Sequence, residues 1–140
     1  MSIIFKRYFF FVLVVSMMSC DSDEEKKPDV CGDSIVVNED LFSQESPNEF
    51  QLLNAEIIDD CIAITIGSNL CDGSTWQADL VTDGIETTAI PPSRLIRFNF
   101  TNLEDCEAFE MRTYQFYLGD EDQTVIYSLE DWEGELIYNE

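Results

Sequence analysis

Five cysteines and 29 acidic side chains carry most of the chemical potential in this 140-residue chain, and no histidine accompanies them. Without histidine the commonest general base and the commonest transition-metal ligand are both missing. The cysteines stand at positions 20, 31, 61, 71 and 106, none in C-x-x-C spacing, so neither a dithiol redox motif nor a zinc site is indicated. There is no Gly-x-Ser-x-Gly elbow and no glycine-rich phosphate loop. Paired carboxylates can hydrolyse glycosides, but among 29 acids the sequence singles out no pair. Asp59-Asp60 and Asp120-Glu121-Asp122 cluster oxygen ligands of the kind calcium takes, yet neither has the spaced loop with its glycine and closing glutamate. Both fall where hairpin turns are expected, and aspartate is an ordinary turn former. The expectation is a protein that is not an enzyme and holds no metal or cofactor.

Binding chemistry is better represented. Trp76, Trp132, Tyr114, Tyr117, Tyr127 and Tyr138 could form an aromatic platform for a glycan or a partner protein. Trp76 alternates with Ala78 and Leu80 and so reads as core. Trp132 stands between Asp131 and Glu133 in a turn and is the candidate ligand contact at the surface.

These side chains are carried by short β-type runs separated by turn residues. Strands are expected over residues 34–37 (SIVV), 50–58, 61–66 (CIAITI), 75–81, 94–101, 109–118, 124–129 and 136–138. The clearest period of two sets Ile62, Ile64 and Ile66 against Cys61, Ala63 and Thr65. Leu53, Ala55 and Ile57 are expected on one face of the second run, and Ile96, Phe98 and Phe100 on one face of the fifth. Loops are expected over 38–48, 67–73 and 82–93. No stretch of a dozen residues carries a helical apolar period. Eight short strands at regular spacing point to an all-β fold. A single antiparallel β-sandwich, immunoglobulin-like in general form, is expected, with a small β-barrel as the alternative.

The N-terminus has a different character. Lys6 and Arg7 precede an apolar run from Tyr8 to Met18 that only Ser16 interrupts. A transmembrane helix needs about 20 apolar residues, so the run is too short to span and has the layout of a secretory signal peptide. It ends in Met17-Met18-Ser19-Cys20, followed by Asp21-Ser22-Asp23-Glu24-Glu25. This junction resembles the lipobox of bacterial lipoproteins, and the acidic run resembles the export signal of Bacteroidota-type surface-exposed lipoproteins. The resemblance implies removal of residues 1–19, acylation of Cys20 and a lipidated acidic tether over 20–30. It also implies an export signal at Ser22, Asp23, Glu24 and Glu25, ahead of a domain over 31–140. The implied location is the outer membrane, lipid-anchored at the cell surface, with the periplasmic face as the alternative. Asp33-Ser34-Ile35 resembles the acceptor for O-glycosylation in such proteins, which would place a glycan on Ser34.

With Cys20 acylated, four cysteines remain for an oxidising compartment, enough for two disulfides. In an up-and-down strand path, successive connections fall at alternate ends of the stack. Cys61 at the Asp59-Asp60 turn then shares an end with Cys31, and Cys71 shares the other with Cys106. Bridges Cys31–Cys61 and Cys71–Cys106 are expected. Loss of residues 1–19 removes Lys6 and Arg7, leaving five basic against 29 acidic residues, a net charge of −24. That excludes nucleic acid as a partner, because phosphate contacts need Lys and Arg. The expected function is a non-enzymatic cell-envelope lipoprotein acting as a tethered binding or accessory module for an unknown protein or glycan partner. The alternative is an acidic inhibitor or protective protein occupying a basic partner.

Overall fold

The computed structural model describes residues 31–139. The expected signal peptide, Cys20 and the acidic run over 22–25 lie outside the described residues. In chain order the elements are β1 (Asp33–Ser34), β2 (Val36–Val37), α1 (Glu39–Phe42), β3 (Gln51–Ile58), β4 (Cys61–Leu70), β5 (Gln77–Glu86), β6 (Ser93–Thr101), β7 (Ala108–Tyr117), β8 (Val125–Leu129) and β9 (Leu136–Tyr138). They form two facing sheets, in the orders β1-β7-β4-β3 and β2-β5-β6-β8-β9. The fold is an all-β sandwich, and no closed barrel forms.

The sheets are mixed rather than purely antiparallel. Pairs β1·β7, β2·β5 and β6·β8 run parallel. Strand direction does alternate along the chain from β3 to β9. But β7 departs to the opposite sheet, so β6 and β8, two steps apart, meet side by side pointing the same way. The expected single strand over 34–37 is divided at Ile35. β1 pairs with β7, and β2 pairs with β5 in the other sheet. Ile35 N–H donates to the Tyr117 carbonyl at 3.0 Å and Asn38 N–H to the Thr82 carbonyl at 2.9 Å. One short segment thus stitches both sheets together on that flank, with the Ile35 side chain packed against the core.

Three other local expectations change. The loop over 38–48 contains the one-turn helix α1, whose first turn is capped by the Asn38 side chain accepting from Leu41 N–H at 3.0 Å. β4 runs on to Leu70 and β5 to Glu86, through glycines that read as breakers. Gly67 is held within the sheet because the Phe109 ring lies across it where a side chain would stand. Gly84, at φ +79°, sits where the β5–β6 register shifts, a bulge rather than a turn. A second shift lies between Leu52 and Asn54. It turns Leu53 outward, 39% exposed, while Leu52 packs on the core in its place.

The core lies between the sheets. Ile62, Ile64 and Ile66 of β4 face Leu80 of β5 and Ile96, Phe98 and Phe100 of β6, all nearly or fully buried, and Trp76 is buried with them as expected. Phe98 is the hub. Its ring centroid lies 5.4 Å from Phe50, 5.7 Å from Tyr114 and 6.0 Å from Phe116, so one side chain of β6 touches the loop before β3 and two positions of β7. Two disulfides close the stack. Cys31–Cys61 joins the start of β1 to the β3–β4 turn with Cα atoms 5.6 Å apart, and Cys71–Cys106 joins the opposite end at 5.2 Å. Phe98→Ala is expected to lower the unfolding free energy by about 3–5 kcal/mol. A urea titration reads this as an earlier midpoint at unchanged slope. A loss below about 1 kcal/mol would show that the rings do not depend on this hub.

Candidate binding site

The acids that looked like turn formers serve as hydrogen-bond acceptors for the fold. Asp59, at φ +52°, makes the tight β3–β4 turn. Asp60 beside it accepts from the Tyr138 hydroxyl at 2.8 Å, and its carbonyl accepts from Leu118 N–H. Asp120 accepts from the Tyr117 hydroxyl. Glu121 accepts from the Tyr127 hydroxyl at 2.8 Å and from Arg94 at 2.7 Å. Among the described residues no three acidic or cysteine side chains gather in an arrangement that would hold a metal. Trp132 is half-buried. Its backbone N–H donates to the Leu129 carbonyl, its ring stands over Gly134, and it packs on the core. Ser34, also half-buried, lies in β1 opposite Tyr117.

A broad concavity lies elsewhere, on the flank where β3 borders one sheet and β8 has already ended in the other. Beyond Ile96 the strand β6 has no β8 partner, and residues 44–48 take that place through side chains. The Ser46 hydroxyl donates to the Phe100 carbonyl at 2.8 Å and accepts from Phe100 N–H at 2.9 Å. The Asn48 side-chain oxygen accepts from Asn102 N–H at 2.7 Å. Between this segment, the start of β3 and the end of β4 opens a cleft of about 1040 Å³. Phe50 and Phe98 line its apolar part, and Glu45, Glu49, Glu104, Glu130 and Asp131 its rim.

Arg97 is the one basic residue lining the cleft among the described residues, and it is fully engaged. It grips Glu130 through two nitrogens, donates to the Gln44 carbonyl at 2.9 Å and lies 5.1 Å over the Phe42 ring. Its hydrogen bonds to Glu130 hold the guanidinium charge more firmly than usual, against a smaller opposing effect of burial. Glu104 is likewise committed. Its carboxylate accepts from the N–H groups of Cys71 at 2.5 Å, Gly73 at 3.1 Å and Thr75 at 3.3 Å. Burial works against its charge, yet these donors outweigh it and hold the carboxyl below its usual range. That leaves Glu45, Glu49 and Asp131 as exposed carboxylates around an aromatic floor. Such a rim attracts cationic groups and repels anions.

Sequence reasoning missed Glu104 and the arginines. Arg94 lies between Glu86 and Glu121 and over the Tyr127 ring. Burial opposes its charge, but Tyr127, Glu86 and Glu121 outweigh it. Arg112 lies 4.7 Å over Trp76 and donates to the Gly73 carbonyl at 3.1 Å. The signal was scarcity. With so few cations among so many acids, each arginine is drawn to a defined partner, though nothing local says which one.

The tyrosine–carboxylate contacts give a pH signature. The hydrogen bond to Asp120 pushes the Tyr117 hydroxyl from its ordinary 10.0 up to about 12, and the bond to Asp60 does the same for Tyr138. A raised folded pKa contributes stability that is complete below the unfolded value and is lost as pH rises through the folded one. Stability is therefore expected to fall between pH 10 and about 12. In the near-ultraviolet phenolate signal Asp60→Asn should bring Tyr138 ionisation to lower pH. An unchanged titration would refute the assignment. Comparison of the chain with family models, with curated proteins and with solved structures finds no match.

Proposed function

We propose that this protein is a non-enzymatic lipoprotein of the cell envelope, a tethered binding or accessory module held at the outer membrane by acylated Cys20. The observation that carries the reading is the use of cysteine. Two bridges take up Cys31, Cys61, Cys71 and Cys106, and the fifth cysteine stands in sequence at the lipobox-like Ser19-Cys20 junction. The first described strand begins at Asp33, and the acidic stretch from Cys20 precedes it in sequence, where a tether would stand. Acyl chains contribute about 0.8 kcal/mol per buried methylene, and more than one chain makes the anchoring stable.

A second reading has a specific observation behind it. The cleft presents Glu45, Glu49 and Asp131 around Phe50 and Phe98, a surface suited to a basic partner. An acidic inhibitor or protective protein would use it to occupy such a partner by charge.

Labelled palmitate should enter the wild-type protein and be lost in Cys20→Ala, and equal labelling of both would sink the anchor. The two readings separate by salt. Binding of a lysine-rich peptide that weakens steeply with ionic strength and with Glu45→Gln/Glu49→Gln favours the charge-driven inhibitor. Binding that ignores salt but fails in Trp132→Ala favours an aromatic-anchored module.

A further inference from the structure

β7 is an edge strand over most of its length. On its outer side β1 reaches only Phe116 and Tyr117, where Ile35 N–H donates to the Tyr117 carbonyl. Backbone groups alternate sides along an antiparallel strand. The N–H and C=O of Phe109, Met111 and Thr113 therefore point outward with those of Tyr117, away from β4. Among the described residues, no strand covers 108–114 on that side. Such a row of unpaired groups is a template for another chain, and proteins usually blunt it with bulges or proline. Here the ladder to β4 is regular from Ala108 to Tyr117, and the edge contains no proline.

The side chains on this edge are informative. Phe109 is 51% and Met111 65% exposed, on the outer face. Glu110 and Arg112 alternate with them on the other face. Arg112 is held in place by the Trp76 ring and the Gly73 carbonyl. Unlike Arg94 and Arg97, it makes no ion pair among the described residues.

We propose that β7 pairs antiparallel with β7 of a second copy of this chain, about a two-fold axis at Met111. In that register Met111 faces Met111 of the second copy, Phe109 faces Thr113 and Glu110 faces Arg112, each contact occurring twice by symmetry. The outward groups of residues 109, 111 and 113 form the hydrogen-bonded pairs. Glu110 and Arg112 fall at the non-hydrogen-bonded positions, where opposing side chains come closest and opposite charges stabilise. Charge selects this register. An axis at Glu110 or at Arg112 would set like charges directly opposite each other, which destabilises. The net negative charge of the chain opposes chance contact between copies in general, and salt near physiological strength screens it beyond about 8 Å. The local exchange of Arg112 for Glu110 is what singles out this edge.

The test uses the full-length chain in membranes of the producing cells, with Met111→Cys placed on the axis. Hydrogen-bonded cross-strand Cα atoms lie about 5.5 Å apart, within the reach of a disulfide. Under mild oxidation M111C should move to doubled mass on a non-reducing gel. Leu103→Cys, 79% exposed but off the strand, should stay at single mass. Adding Glu110→Lys or Arg112→Glu to the M111C chain should abolish the doubled species. Co-expressing those two variants should restore it, because each then presents what the other lacks, and restoration also shows that both fold. M111C at single mass, equal cross-linking of M111C and L103C, or no restoration on co-expression would each overturn the proposal.

Discussion

Every connection from β3 to β9 reverses the chain, and this alternation governs what can meet what. It brings the β3–β4 turn to one end of the stack and both the β4–β5 and β6–β7 connections to the other. Cysteines placed at those connections can then close only in matched ends, Cys31 with Cys61 and Cys71 with Cys106. Each bridge ties a chain segment of 30 or 35 residues, which restricts the unfolded chain by about 3–4 kcal/mol in the loop-entropy picture. For a domain this small, two such constraints supplement a single core of aliphatic and aromatic side chains between the sheets.

The same alternation explains where sequence reading succeeded and where it stopped. The alternating Ile62, Ile64 and Ile66, and Ile96, Phe98 and Phe100, are buried as their period of two requires. End-matching of the cysteines needed only strand parity, not strand order. Sheet order was not legible, because nothing local tells β7 to leave β6 for β4, and the parallel pairing of β6 with β8 follows from that departure alone. Gly67 and Gly84 misled for a related reason. A glycine signals freedom from a side chain, and here the space is filled by a neighbouring ring or used for a bulge. The division of residues 34–37 between two sheets depends on partners more than 40 positions away in the chain, Thr82 and Tyr117.

Electrostatics follow from imbalance. In a chain so rich in carboxylates, tyrosine hydroxyls and backbone N–H groups become donors that tie acids to the surface of the fold. Asp60, Asp120, Glu104 and Glu121 are all satisfied this way. Arginine is the scarce partner: Arg94 sits where β6, β8 and the segment at Glu121 converge, and Arg97 where β6, the turn at Glu130 and the segment at Gln44 converge. The carboxylates left around the flank cleft, Glu45, Glu49 and Asp131, are those no donor reaches among the described residues. That is why composition foretold an acidic surface and left the position of the cleft open. The cleft exists because β8 is short and residues 44–48 replace a strand with side-chain hydrogen bonds.

The proposed anchor and the sandwich meet in the cysteine arrangement, so a non-reducing peptide map of protein isolated from membranes bears most directly on the whole. The expected map has an N-terminal peptide that begins at Cys20 and carries acyl mass, with Cys31 linked to Cys61 and Cys71 linked to Cys106. A peptide joining Cys20 to another cysteine, or one that retains residues 17–19 ahead of Cys20 without acyl mass, would contradict it.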